Sequence, residues 1–175
     1  MTFGSRVVII GNSGSGKSTL ARAIARRIGA PSIDLDHIHW QGSYGIKRDE
    51  DPAKRMVADA AAESKWIIEG VYGWLAEVAL PRATSLIWLD MSWNICREGL
   101  SARGLHRGAT EGDHVALLEW AQAYWQHQTP TSFAGHLALF ENFAEPKLRL
   151  QSRSEIDVLL ATPIGAVPER FCRDN

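Results

Sequence analysis

The sequence predicts an α/β fold of three layers, a parallel sheet held between two sets of helices, and three observations predict it. Short apolar runs without alternation, Val7-Val8-Ile9-Ile10, Trp66-Ile67-Ile68 and Leu86-Ile87-Trp88-Leu89, read as strands buried on both faces. Between them lie stretches of helical spacing, the first placing Leu20, Ile24 and Ile28 on one face. Joining the first strand to that helix is Gly11-Asn12-Ser13-Gly14-Ser15-Gly16-Lys17-Ser18-Thr19, a complete G-x-x-x-x-G-K-S. Strand, glycine-rich turn and helix in that order are the setting of a P-loop, and alternating strands and helices give a parallel sheet.

Each residue type in that turn has a chemical reason. Glycines let the backbone turn tightly and aim several N–H groups inward as an anion-binding nest. The helix that follows adds unsatisfied N–H groups and the positive end of its dipole. Gly11 to Thr19 are therefore expected to cradle ATP phosphates, with Lys17 bridging the β- and γ-phosphates and Ser18 holding Mg²⁺ through its hydroxyl. By ordinary residue usage the full pattern arises by chance in roughly one chain of this length in two hundred.

The composition narrows the function classes. A chain of 175 residues and 19.4 kDa is most simply one domain, spanning 1–175. Nineteen Lys and Arg against 20 Asp and Glu give a formal charge of −1, which argues against a general nucleic-acid binder. No apolar run approaches the roughly 18 residues of a membrane helix, and no signal-peptide core precedes the first strand. Cys96 and Cys172 lie far apart, match no metal spacing, and read as reduced thiols of a cytoplasmic protein.

Further along, Ile33-Asp34-Leu35-Asp36 reads as the end of a second strand. Asp51-Pro52 reads as the cap and first turn of a helix reaching about Glu63. After the fourth strand the pattern turns helical, broken by the glycine-bearing Gly104-Leu105-His106-Arg107-Gly108. A helix capped by Asp113 then carries Leu117, Ala121, Tyr124 and Trp125 on one face. Phe133, Leu137 and Phe140 share the face of the next. Leu148-Arg149-Leu150 reads as a last strand, and Ser152-x-x-Glu155 as a capping box for a final helix, with a loosely ordered tail from about 162 to 175.

Several acids fall at strand ends, where a parallel sheet presents its ligand crevice. Glu69 is expected to hold Mg²⁺ through a water or to orient a substrate hydroxyl. In an extended segment Asp34 and Asp36 share one side and both contact metal or acceptor; otherwise one caps a turn and the other faces the site. Asp90 is a weaker candidate, its ordinary reading being loop ordering. Arg97, Arg103 and Arg107 lie on a helix and the glycine-flanked segment after it, where a closing arginine would neutralise the transferring phosphoryl group. Trp40 and Tyr72 are candidates to line the acceptor site. His37 and His39 flank Ile38, but no further ligand spacing makes them a zinc site, and the other tryptophans read mainly as core.

With these segments in hand, the chain resembles the small adenylate-kinase-related proteins once labelled DNA topology modulation or flagellar-regulation kinases. The likeness rests on the P-loop, on Asp34-Leu35-Asp36-His37-Ile38-His39-Trp40, on Trp66-Ile67-Ile68-Glu69-Gly70-Val71-Tyr72 and on Leu86-Ile87-Trp88-Leu89-Asp90, and covers roughly residues 5–160. It implies a P-loop NTPase fold of the nucleoside-monophosphate-kinase kind, with five strands ordered 2-3-1-4-5 and a helical lid at about 97–143. It also implies that Glu69-Gly70 stands for the Asp-Gly pair ending strand 3, and that Arg103 or Arg107 stands for the lid arginines. Three departures bear on the acceptor: Glu69 replaces aspartate, Val71 replaces asparagine, and the arginine usual near Leu80 is missing although Arg82 follows. Asp34-x-Asp36 is similar to the pair in shikimate kinases, but the glycine triplet expected after strand 3 there is absent. The expected function is ATP–Mg²⁺-dependent phosphoryl transfer to a small-molecule acceptor, nucleotides and nucleosides included. The competing expectations are a shikimate- or gluconate-type metabolite kinase, a nucleotide-dependent regulatory ATPase working through a partner, and a P-loop protein that has lost catalysis.

Overall fold

A computed structural model describes residues 4–41, 45–105 and 109–163. Five strands, β1 (Arg6–Gly11), β2 (Ser32–Asp34), β3 (Trp66–Gly70), β4 (Ser85–Leu89) and β5 (Lys147–Leu150), form one sheet in the order β2-β3-β1-β4-β5. Every pairing is parallel, as the absence of alternation in the strand sequences requires. Because successive side chains point to opposite faces, Val7 and Ile9 enter one core and Val8 and Ile10 the other.

Helices α1 (Lys17–Ile28), α5 (Trp93–Arg103) and α8 (Arg153–Ala161) cover the Val7/Ile9 face through Leu20, Ala21, Cys96, Ile156 and Leu159. The opposite face takes α3 (Glu50–Ala62), α4 (Gly73–Ala79) and α7 (Phe133–Asn142), through Val57, Leu75, Phe133 and Phe140. Each fully buried Ile or Leu contributes about 1.5–3 kcal/mol, so the sheet is secured on both sides. The short α2 (Leu35–His39) and α6 (Glu111–Gln122) complete the α-helices of the described residues.

Three local readings change. Asp34 ends β2 and caps α2, its Oδ1 accepting from the Asp36 N–H at 2.8 Å, so the Asp34–Asp36 stretch is a helix start and the alternation does not apply. Helix α3 begins at Glu50 after Asp49, so Asp51 and Pro52 fall within its first turn, where proline costs no helical bond. Helix α6 is capped by Thr110, and Asp113 is its reciprocal partner three residues on. Within the interval assigned to the lid, α7 packs on the sheet; the less committed element is α6, in which Ala121 is the buried residue. The capping box of Ser152 and Glu155 forms as read.

The C-terminal ends of β1, β2, β3 and β4 lie along one edge of the sheet. They bring there the P-loop, Asp34, Glu69 and Asp90, with β1 at the centre where the strand order turns.

Candidate active site

The P-loop wraps from β1 into α1 with Gly14 and Gly16 at φ +78° and +100°, values that side-chain-bearing residues rarely adopt. A Cβ on Gly14 would lie 2.1 Å from the carbonyl oxygen of Cys96, and one on Gly99 would lie 2.2 Å from that of Gly14, so α5 and the loop touch backbone to backbone. Lys17 is buried, and its Nζ donates to the Asn12 carbonyl at 3.0 Å. The Asn12 side chain serves as scaffold: Nδ2 donates to the Ala121 carbonyl at 2.8 Å, and Oδ1 accepts from the Ser13 N–H. Ser15 Oγ is buried with no hydrogen-bond partner among the described residues. Thr19 is exposed one turn further on.

Beside this cradle the structure brings together the residues assigned to the metal. Glu69, 2 % exposed, stands beside Ser18 and lies in the field of Lys17. Burial raises its pKa above the ordinary carboxylate value; Lys17 and Ser18 pull it back, and Asp34 and Asp36 push it further up. Asp34 pairs with Glu69 in register across β2 and β3. Its pKa is also raised, by burial first and then by Asp36. Asp36 is half-buried on the first turn of α2. Three carboxylates and one lysine thus share the strand ends.

An aromatic wall stands next to the acids. His39 is buried, stacks on Tyr72 with ring centroids 3.9 Å apart, and meets Trp40 edge-on at 4.6 Å. Burial, then Lys47, lowers the His39 pKa, which keeps the ring neutral. Trp40 also pairs with Lys47 in an isolated antiparallel bridge, and Tyr72 precedes α4. Among the described residues no three His, Cys, Asp or Glu side chains gather to hold a metal by themselves. Asp90 orders the opposite flank, receiving Arg149 at 2.7 Å and Gln151 at 3.0 Å. There a cleft of about 480 Å³ opens among Asp90, Met91, Ser92, Trp93, Trp125 and Gln151.

Arg97 and Arg103 are exposed on α5 and make no ion pair among the described residues, and Arg107 lies outside the described residues with His106. Sequence reasoning missed a different arginine. Arg153, at the first position of α8, donates Nη1 to the Ser15 carbonyl at 2.6 Å and Nη2 to that of Gly14 at 3.4 Å. A Cβ on Gly16 would lie 2.3 Å from its Nη1. The one local hint was a cation placed against the positive end of a helix dipole, which needs a compensating contact.

A family model described as ABC transporter matches residues 1–67, which carry the P-loop and stop short of Glu69. Among solved structures, a gluconokinase from Sinorhizobium meliloti superposes with a TM-score of 0.57 at 19% identity, covering 92% of this chain and 90% of its own. A shikimate kinase from Bacteroides thetaiotaomicron gives 0.55 at 19% identity, covering 89% and 94%. The chain has the fold of the P-loop kinases. Its curated relatives include the shikimate kinase of Symbiobacterium thermophilum, 30% identical over 118 residues, or 58% of this chain and 66% of that one. They also include the uncharacterized protein YqaC of Bacillus subtilis, 28% identical over 126 residues, or 66% of this chain and 70% of that one. The chain spans about two thirds of the length of these relatives. No helix of the described residues is long and apolar enough to cross a membrane.

Proposed function

We propose that the chain is an ATP–Mg²⁺-dependent phosphotransferase acting on a hydroxyl group of a small metabolite. The observation that carries this reading is the buried Glu69 set beside Ser18 and in the field of Lys17, next to a loop that turns on Gly14 and Gly16 at positive φ. A hydroxyl, a carboxylate and a lysine set against such a nest are the donor set that nucleotide phosphates and a hard cation require. Bound ATP–Mg²⁺ supplies an electrophilic phosphorus and the divalent charge that neutralises its oxygens.

The residues divide the work. The nest and Lys17 bind the phosphates; Lys17, tied by one hydrogen bond to the Asn12 carbonyl, is free to redirect its charge. Ser18 and Glu69 offer oxygen ligands to the metal. Asp34, with its raised pKa, takes the proton from the acceptor hydroxyl as that oxygen bonds to phosphorus and ADP leaves. Asp36 orients the acceptor, and His39, Trp40 and Tyr72 wall it off from water. The gluconokinase and shikimate kinase neighbours favour a hydroxylated metabolite over a nucleotide as acceptor.

The test is ADP release from ATP–Mg²⁺ with sugar acids, shikimate, sugars, nucleosides and nucleoside monophosphates. Strong stimulation by one hydroxylated metabolite is expected. Stimulation by a nucleoside monophosphate alone would return the acceptor to the nucleotide class. Slow release indifferent to every compound would overturn the reading in favour of a regulatory ATPase.

A further inference from the structure

His136 has no place in the chemistry above, yet it is wholly buried and fully hydrogen-bonded. Its Nε2 donates to the Val71 carbonyl at 2.9 Å, and its Nδ1 lies 2.6 Å from the Tyr124 hydroxyl, which fixes the neutral tautomer protonated on Nε2. Burial drives its pKa down to about 3, so the ring stays neutral over the working pH range.

What the ring joins gives it meaning. Val71 is two residues beyond Glu69, in the turn that leads through Tyr72 into α4. Tyr124 lies just past the end of α6, three residues after Ala121, whose carbonyl receives the side chain of Asn12 in the P-loop. The path from the P-loop to the β3 turn therefore runs from Asn12 to Ala121, along the chain to Tyr124, and on through His136 to Val71, its three side-chain hydrogen bonds all buried. Close packing locks the same junction: a Cβ on Gly73 would lie 1.9 Å from the Pro130 carbonyl oxygen, and its nearest neighbours include the His136 ring. An apolar side chain would fill the space, but it would leave the Val71 carbonyl and the Tyr124 hydroxyl buried without partners.

We infer that His136 is a positioning residue: with Tyr124 it holds the Glu69–Tyr72 turn in register with the P-loop, and so keeps Glu69 in place beside Ser18 and Lys17. The inference rests on the metal role given to Glu69 above.

The experiment compares wild type with His136→Leu, His136→Gln and Tyr124→Phe by two readouts. The first is hydrogen exchange of the peptide spanning residues 69–73 without nucleotide. The second is the Mg²⁺ concentration giving half-maximal binding of a fluorescent ATP analogue. His136→Leu is expected to speed exchange in that peptide at least tenfold and to raise the Mg²⁺ requirement about tenfold, with Mg²⁺-free binding of the analogue unchanged. His136→Gln, which keeps an N–H donor, restores part of both, and Tyr124→Phe shifts both about threefold. Unchanged exchange and unchanged Mg²⁺ dependence in a folded His136→Leu protein would overturn the inference. If His136→Leu does not fold, the same two null results in Tyr124→Phe would overturn it equally. If wild type shows no Mg²⁺-dependent binding, the metal role of Glu69 falls, and with it the part of the inference that concerns Ser18. The exchange readout then decides whether His136 holds the turn.

Discussion

The two flanks of β1 carry their costs differently. On the nucleotide flank the site is made of backbone: an uninterrupted loop with glycines at φ +78° and +100°, braced from behind by Arg153 and α5. On the acceptor flank it is made of side chains from three strand and helix ends, with carboxylates whose pKa values are raised by burial. One flank holds a rare conformation and the other holds buried charge. The first is therefore sensitive to the shape of a substituent, and the second to pH and charge.

Lys17 belongs to both flanks, and its loss is the most damaging change. Lys17→Ala should cut ATP turnover by about 10²–10³-fold while the thermal midpoint barely moves, checked by ADP release and calorimetry. Retained turnover would sever the link between the flanks.

Glu69→Gln should lower turnover by at least tenfold and raise the Mg²⁺ requirement, yet stabilise the fold near neutral pH. The sign follows from a raised native pKa. Between the ordinary value of 4.5 and the raised one, the native state binds more protons than the unfolded chain, so wild-type stability falls as pH rises through that window and stays lower above it. Glutamine carries no such penalty. The excess stability of the variant should appear above that window and vanish below it, each kcal/mol moving Tm by about 2–4 °C. A destabilised variant at pH 7 would mean that Lys17 and Ser18 more than offset the burial.

Arg153→Ala should weaken ATP-analogue binding about fivefold, equivalent to about 1 kcal/mol, by releasing the Ser15 and Gly14 carbonyls, with the Mg²⁺ requirement unchanged. A change in Mg²⁺ dependence instead would show that the brace reaches the acceptor flank. Asp90→Ala gives the smallest effect. It breaks a pair whose arginine side chain is 36% exposed and whose carboxylate is 8% exposed, costs about 1 kcal/mol in denaturant unfolding, and leaves nucleotide affinity unchanged.

The same contrast explains what could be read from the chain. The P-loop is contiguous and its geometry depends on residue type, so it was legible entire; the non-alternating strands gave the parallel sheet for the same local reason. The alternation drawn through Asp34 and Asp36 failed because a short polar side chain can satisfy a neighbouring N–H and start a helix. The start of α6 was misread because Thr110 and Asp113 are both plausible caps, and only the reciprocal bond decides between them. Arg153 acts 138 residues from its partner Ser15, a distance at which no periodic pattern speaks. His136 left a fainter trace, a polar residue three positions after Phe133 on an otherwise apolar helical face, but its partners come from separate elements.

The backbone contact between the P-loop and α5 bears on the sequences that this fold can accept. Position 99 lies inside a helix, where glycine ordinarily costs about 1 kcal/mol relative to alanine and replacement is a routine route to a sturdier protein. Here the added methyl would land on the Gly14 carbonyl. In a library of all single substitutions, residue 99 should therefore share the intolerance of the loop it touches, although no motif includes it.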